Sequence, residues 1–187
     1  MRHRHKKHTG KPGLPRIWLM TDPRLGERLL SAVRRLPAGS GVIFRHYDLE
    51  PKARRTLFRQ VARICRQRGH LLFLAGSEGL ARHWHADGFH GRQGKRRQSG
   101  FLHSAGIHNA RELAEAKRCG ADILFISPLY ETRSHPGARA LGVTAFRRLA
   151  LLRGDAAIVA LGGMSAARAR MQDKRVMHGW AAIDAFW

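Results

Sequence analysis

One segment of the chain gathers the side chains that protein sites use to hold an anion. The segment runs from Tyr130 to Gly142, and its polar groups are concentrated in Thr132, Arg133, Ser134 and His135. Hydroxyl groups, a cation and exposed backbone amides are what phosphate recognition requires. The segment therefore predicts a phosphate-binding loop in which Thr132, Ser134 and His135 contact the substrate.

A second candidate for anion binding is the pair Gly162 and Gly163, which directly follows an apolar run. Because glycine has no Cβ atom, the pair lets backbone N–H groups approach a phosphate, and a helix is predicted to begin just behind it. A Gly-Gly pair after a strand is common. The joint position of this pair and the Tyr130–Gly142 segment is stronger evidence than either alone.

His108 also follows an apolar run and could transfer protons, because an imidazole titrates near neutral pH. It could equally begin a helix and make a local hydrogen bond, and both interpretations stay open. His46 and His90 could line the same site, although a scattered histidine is more often structural. Arg45 stands directly after a further apolar run.

Eight short apolar runs alternate with helix-like segments along the chain. The runs are Ile17–Met20, Gly41–Phe44, His70–Leu74, Gly88–His90, Phe101–Ser104, Ile123–Ile126, Ala156–Leu161 and Trp180–Ile183. Continuous apolar runs are typical of strands covered on both faces, and their alternation with helices implies a parallel sheet. Eight such units predict an α/β fold of the (β/α)8 TIM-barrel type, with the ligand site at the C-terminal ends of the strands.

Helical periodicity fills most of the gaps between the runs. The clearest segments are Leu25–Leu36, Leu57–Cys65, Asn109–Cys119 and Val143–Leu152. A chain of 187 residues makes a small barrel, so some helices must be short or missing, and Gly91–Gly100 is the poorest helix candidate. A doubly wound open sheet is the alternative, but it would need a Gly-rich loop after the first strand, which Thr21–Arg24 is not.

The charge of the chain is strongly positive. Thirty-five Lys and Arg against thirteen Asp and Glu give a net charge of +22, which attracts polyanions. In residues 16–187, expected to form the single barrel domain, the arginines look scattered and are interpreted as solvated helix faces. Residues 1–15 have no apolar periodicity and are predicted to be a disordered basic tail, through which nucleic acid could bind.

No run of the sequence approaches the length of a membrane helix, and the basic N-terminus is not followed by an apolar segment. The expected location is therefore the cytoplasm. Cys65 and Cys119 fall in helical patterns and are expected to be reduced core residues, so no metal framework is predicted.

Several of these pieces, in this order, resemble one family. They are IWLMTD, VIFRHYD, ADGFH, the segment from SAGIHNARELAEAKRCG through SPLYETRSHPGARALG, and ALGGM. The set is similar to the thiamine-phosphate synthase/TenI group and spans nearly the whole chain after the tail.

The resemblance implies a barrel that binds phosphorylated thiazole and pyrimidine molecules. The synthase joins a hydroxymethylpyrimidine diphosphate to a thiazole phosphate with Mg²⁺ supporting the leaving diphosphate, whereas some TenI relatives isomerise the thiazole phosphate. By matching position, Arg45, Thr132 and Ser134 would bind anions, and Gly162 and Gly163 would hold the thiazole phosphate. His108 would stand at the histidine after strand five.

The chain departs from the family pattern at several polar positions. Ala75-Gly76-Ser77 replaces an Asn-Asp-Arg element whose Asp helps to hold Mg²⁺, and only Glu78 of a rearranged loop could substitute for it. Tyr47 and His135 replace two lysines, Gly106 replaces a serine, and Asp184 replaces a phosphate-binding serine.

Three functions remain open at this point. The chain could be a divergent thiamine-phosphate synthase that still uses Mg²⁺. It could be a TenI-like tautomerase, or have another Mg²⁺-independent role, with His108 as the acid and base. It could also be a non-catalytic barrel that binds phosphate or RNA. The sequence does not decide the oligomeric state.

Overall fold

The computed structural model describes residues 13–92, 100–132, 137 and 139–186. Eight parallel strands pair in chain order, and the first pairs with the last to close a barrel. The strands are β1 (Ile17–Met20), β2 (Gly41–Phe44), β3 (Leu71–Ala75), β4 (Gly88–His90), β5 (Leu102–Ile107), β6 (Ile123–Ile126), β7 (Ala157–Ala160) and β8 (Gly179–Ala182). The predicted small TIM barrel is confirmed.

The helices around the barrel are unequal in length. They are α1 (Arg28–Arg35), α2 (Pro51–Arg68), α3 (Glu78–His83), α4 (Ala110–Arg118), α5 (Gly142–Leu151) and α6 (Ala166–Arg170), and Pro23–Leu25 forms a 3-10 turn. α2 is followed by Gly69 in the left-handed conformation, as its position after the last periodic residue predicts. Between β4 and β5 the described residues contain no helix, and residues 93–99 lie outside the described part.

The interior of the barrel is filled rather than open. The ring of Trp18 lies edge-on to Phe73 at 5.3 Å and to Phe125 at 5.5 Å between ring centroids. A Cβ atom on Gly41 would overlap the Trp18 ring, so that strand must carry glycine at this height. The interior is therefore a packed core, and a ligand can enter only at the strand ends.

The packed chain begins before Arg16, where the sequence had placed the end of the tail. The backbone carbonyl of Pro15 accepts a hydrogen bond from Trp18 Nε1 at 2.8 Å, and that of Leu14 accepts one from His178 Nε2 at 3.1 Å. Leu14 also packs against the barrel interior. Leu14 and Pro15 therefore belong to the barrel, while residues 1–12 of the predicted tail lie outside the described residues.

The two cysteines are buried and neither forms a disulfide, as predicted. Burial raises the pKa of the Cys65 thiol to about 12, so it stays protonated in the core. Across the described ranges, no helix is long and apolar enough to cross a membrane.

Candidate functional site

A cavity of about 430 Å³ opens at the C-terminal ends of the strands. This volume lies in the range of sites that hold drug-sized ligands. Five of the seven predicted site residues line it: Arg45, His108, Thr132, Gly162 and Gly163. The other two, Ser134 and His135, lie outside the described residues. Barrel closure thus brings together residues that the sequence separates by more than a hundred positions.

The loop that follows β6 packs against the Gly162–Gly163 turn and is hydrogen-bonded to it. Both glycines have positive φ, at 93° and 60°. Leu129 N donates to Leu161 O at 2.8 Å, and Tyr130 N donates to Gly162 O at 3.1 Å. A Cβ atom on Gly163 would lie 2.5 Å from the carbonyl oxygen of Glu131, so the loop sits directly on the turn. The glycines are therefore required by this close backbone packing as well as by their left-handed conformation.

Arg168 is a cation of the site that the sequence reasoning missed. Its guanidinium donates to Gly163 O and lies over the ring of Tyr130 at 4.6 Å, and Tyr130 Oη accepts a hydrogen bond from Gln172 at 2.7 Å. Ser165 caps α6 by accepting from Arg168 N at 3.3 Å. A serine two residues after the glycine pair, with arginine three residues later, is the signal that could have found it.

Arg45 reaches the cavity with part of its hydrogen-bonding capacity already used. Its Nε donates to Thr21 O at 2.7 Å and its Nη2 to Asp22 Oδ2 at 3.0 Å. Burial lowers the pKa of Arg45 and Asp22 opposes that shift, so the guanidinium remains a cation. Since guanidinium has five N–H groups, the remaining ones can still donate to a ligand.

Carboxylates lie among these cations. Arg24 pairs with Asp22 at 2.7 Å, and its Nη2 lies 3.8 Å from Asp184 Oδ1. Although burial raises the pKa of Asp22, the hydrogen bonds and charges of Arg24 and Arg45 lower it on balance. Asp184 lines the cavity where the resemblance expected a serine, and Arg24 partly offsets its repulsion of a phosphate.

His108 both makes a local hydrogen bond and lines the cavity. Glu112 Oε2 accepts from His108 Nδ1 at 2.9 Å and from the backbone N of His108 at 2.7 Å, and Arg92 pairs with the other carboxylate oxygen. Burial raises the pKa of Glu112, but the hydrogen bonds from His108 and the charge of Arg92 lower it on balance. The local hydrogen bond of one interpretation is therefore observed, and the proton transfer of the other stays a prediction.

The geometry at His108 fixes which ring nitrogen can act. A carboxylate oxygen only accepts, so Nδ1 carries the hydrogen in the neutral ring and Nε2 keeps a lone pair. The side chain is 54% exposed and lies at the wall of the cavity. A histidine held by a carboxylate in this way can act as a general base.

His46 and His90 do not line the cavity. His46 is buried, stacks on Phe44 with the ring centroids 5.0 Å apart, and has Nδ1 3.0 Å from Thr21 Oγ1. His90 Nδ1 lies 3.0 Å from Ser104 Oγ, and burial together with Arg45 lowers the pKa of His90 to about 3. Both histidines are therefore neutral structural residues.

The end of β3 does not fit a resident Mg²⁺. Ala75 and Gly76 offer no side-chain oxygen, and Ser77 Oγ accepts from Leu80 N at 3.2 Å as the cap of α3. Glu78 Oε1 accepts two hydrogen bonds from Arg82, at 2.9 and 2.7 Å. Among the described residues there is no group of three or more His, Cys, Asp and Glu side chains placed to hold a metal. Mg²⁺ is bound by oxygen ligands, and carboxylates are the ones that a protein usually supplies.

Comparison with known proteins gives a match to one protein family. The profile of the thiamine monophosphate synthase family (TMP-TENI) matches residues 17–186. A protein of Aquifex aeolicus (strain VF5), named as a candidate second thiamine-phosphate synthase, is 26% identical over 183 residues, covering 92% of this chain and 98% of that protein. A thiamine-phosphate synthase of Geobacillus kaustophilus (strain HTA426) is 31% identical over 137 residues, covering 69% of this chain and 62% of that protein.

The fold is also shared with a solved structure. The thiamine phosphate pyrophosphorylase from Pyrococcus furiosus superposes with a TM-score of 0.75 at 22% identity, covering 91% of this chain and 86% of that chain. At this identity the likeness concerns the fold alone.

Proposed function

This chain belongs to the thiamine monophosphate synthase family, and we propose that it acts on a phosphorylated thiazole bound at the mouth of the barrel. The observation that carries the proposal is that one cavity is lined by both the Gly162–Gly163 turn and His108, which is oriented by Glu112. The first feature suits a phosphate and the second suits proton transfer.

The phosphate would sit in the cavity, whose wall is formed in part by the glycine turn and the loop after β6. Thr132 and Arg168 line the cavity beside the turn and supply a hydroxyl group and a positive charge. Arg45 faces the same space from β2. Ser134 and His135 continue the loop and remain proposed phosphate ligands. Hydrogen bonds from charged donors are the stronger ones, so the arginines would contribute most of the affinity.

The reaction that this site favours is a metal-independent isomerisation. Nε2 of neutral His108 would take a proton from one atom of the thiazole and return it to another, so the ring shifts its double bonds without losing a group. Glu112 would hold the imidazole in the required tautomer and stabilise its charged form. Since no diphosphate leaves, the reaction needs none of the Mg²⁺ ligands that the end of β3 lacks.

Thiamine-phosphate synthesis is the second candidate, because it is the activity for which the family is named. The cavity of about 430 Å³ can hold a ligand larger than one ring, as joining a pyrimidine to a thiazole requires. In this case Mg²⁺ would have to arrive with the diphosphate. A barrel that only binds phosphate is the third candidate.

Two assays on the same preparations separate these candidates. Deuterium exchange into the thiazole phosphate in D₂O, followed by proton NMR, reports isomerisation. Release of diphosphate from the pyrimidine diphosphate with Mg²⁺ reports synthesis. We expect exchange without diphosphate release, and we expect His108→Gln to lower the exchange rate by about 100- to 10,000-fold, the usual contribution of a general base.

His83→Gln is the matched control, because His83 is exposed on α3 and does not line the cavity. It should leave the exchange rate unchanged. If the His108→Gln variant still releases diphosphate strongly, the proposed isomerase activity is rejected and the chain is a synthase. Binding of thiamine phosphate with neither reaction would support the non-catalytic barrel.

A further inference from the structure

The outer face of α2 carries a continuous row of positive side chains. We call this row the α2 stripe; its members are Lys52, Arg55, Arg59, Arg63 and Arg66. Arg55 is half-buried and the other four are exposed. Their spacing of three or four residues puts them within about 80° around the helix and spreads them over about 21 Å of its length. The row faces solvent, as the interpretation of solvated helix faces expects, but its residues are aligned along the helix and not scattered.

The two other arginines of α2 are engaged by the barrel. Arg54 donates to Arg45 O at 3.0 Å and to Ala75 O at 2.8 Å, and Arg68 donates to Leu36 O at 3.2 Å. Within the described part of the chain, no member of the α2 stripe forms an ion pair or a side-chain hydrogen bond. The arginines of this helix thus fall into two groups: Arg54 and Arg68 donate to backbone carbonyl groups, and the stripe faces solvent.

Within α1 and α2 no acidic side chain offsets the charge. Neither α1 nor α2 contains Asp or Glu, and α1, which packs against α2, adds Arg28, Arg34 and Arg35. Like charges three or four residues apart destabilise a helix. A polyanion that lies along the stripe would offset this repulsion, because each cation would be attracted to the negative charges of the polyanion.

We propose that the α2 stripe docks the sugar-phosphate backbone of duplex nucleic acid, without base specificity. Arginine suits this partner because its planar guanidinium binds a phosphate through two hydrogen bonds. The stripe is flanked by Gln60 and Gln67, whose neutral side chains can donate to phosphate and sugar oxygens. None of the cavity-lining residues is on α2, so this surface is separate from the proposed active site.

Other polyanions fit the surface less well. The apolar side of α2, which includes Phe58, Val61 and Ile64, is buried against the barrel and cannot enter a bilayer. Single strands are held largely by stacking of bases on aromatic rings, and the one aromatic residue of α2, Phe58, is part of that buried side. A duplex backbone, which needs only regularly spaced cations, matches what the helix offers.

The test measures binding of the full chain to a fluorescein-labelled DNA duplex by anisotropy at several salt concentrations. If each of the five side chains of the stripe contacts one phosphate, the logarithm of the association constant should fall with the logarithm of the salt concentration with a slope of about −4.5. The affinity then falls about 500-fold between 50 and 200 mM salt. R59Q/R63Q/R66Q should make the slope shallower by about 2.7. It should not lower Tm, because it removes repulsion between like charges.

Two variants with the same loss of charge serve as controls. R118Q/R148Q/R170Q removes three exposed arginines from other helices, and R2Q/R4Q/K6Q removes three charges from the N-terminal segment. The proposal holds if the stripe variant loses far more affinity than both. Equal losses in all three would show attraction by net charge alone, and a loss confined to R2Q/R4Q/K6Q would assign binding to the tail; either result overturns it.

Membrane binding is tested with the same proteins on vesicles of phosphatidylserine and phosphatidylcholine. Stripe-dependent binding to the vesicles with no binding to DNA would also overturn the proposal. The exchange assay should give the same rate for the stripe variant and the unaltered chain. Because the docking and exchange assays have separate readouts, failure of one proposal does not decide the other.

Discussion

Replacing Gly163 with alanine tests whether the loop after β6 depends on the glycine turn. The new Cβ atom would lie 2.5 Å from Glu131 O, 2.9 Å from Arg168 Nη1 and 2.9 Å from Tyr130 Cβ. The arginine end can move aside, but the carbonyl oxygen is backbone. Ordinary contact begins near 3.4 Å, so the loop must shift by the difference between 2.5 and 3.4 Å.

Two costs combine in this variant. A φ of 60° costs a residue with a Cβ atom about 1–2 kcal/mol. Crowding of a well-packed region typically costs a further ~1–3 kcal/mol. We therefore expect Gly163→Ala to lower the free energy of unfolding by about 2–5 kcal/mol.

Gly154→Ala separates the two costs. Gly154 has a φ of 66°, and the nearest atom to its added Cβ is Lys117 Cε at 3.7 Å, on a flexible side chain. This control should lose only the conformational part, about 1–2 kcal/mol. The gap of about 1–3 kcal/mol between the variants corresponds to about 2–12 °C in Tm for a domain of this size.

The assays are urea unfolding followed by circular dichroism, and the deuterium-exchange assay on the thiazole phosphate. Because Thr132 follows the displaced carbonyl directly, a shift approaching 1 Å should lower the exchange rate of Gly163→Ala by about 100-fold. Gly154→Ala should keep its rate. If the two variants had the same stability and the same rate, the reasoning from loop packing on the turn would be refuted.

Two further predictions concern residues that support the site. Arg54→Lys should lower the free energy of unfolding in urea by about 1–3 kcal/mol and weaken thiamine phosphate binding in calorimetry, since lysine cannot bridge the carbonyls of Arg45 and Ala75 as the guanidinium does; an unchanged affinity would contradict a positioning role. His90 should make the fold less stable as pH falls from 6.5 towards 3, by up to about 1.4 kcal/mol per pH unit, because the unfolded chain binds its proton first while burial holds the folded pKa near 3. His90→Gln should flatten the pH dependence of the urea midpoint, and an identical slope in the two proteins would show that other groups cause it.

The strands could be read closely from the sequence. β1, β2, β4 and β6 begin and end where their apolar runs do. The apolar run Phe101–Ser104 stops short of the end of β5, because pairing with β6 carries the strand through to Ile107. Pairing between strands therefore set the limits that composition left undecided.

The short helices and one site cation could not be read in this way. α3 and α6 have six and five residues, too few for a hydrophobic period to emerge. Arg168 stood among many arginines, and only its place after the glycine turn, beside Tyr130, distinguishes it. The α2 stripe has a helical period visible in the sequence, but the barrel decides which side of α2 faces solvent.

The sequence by itself determined the order of strands and helices, the positions of the glycine turns and the local hydrogen bond of His108, whose partner the structure identifies as Glu112. These features depend on backbone sterics and on residues a few positions apart. Only the tertiary structure decided that Arg45 pairs with Asp22 and that five loops meet at one cavity. Those contacts arise from barrel closure, which joins residues far apart in the chain and therefore leaves no local pattern.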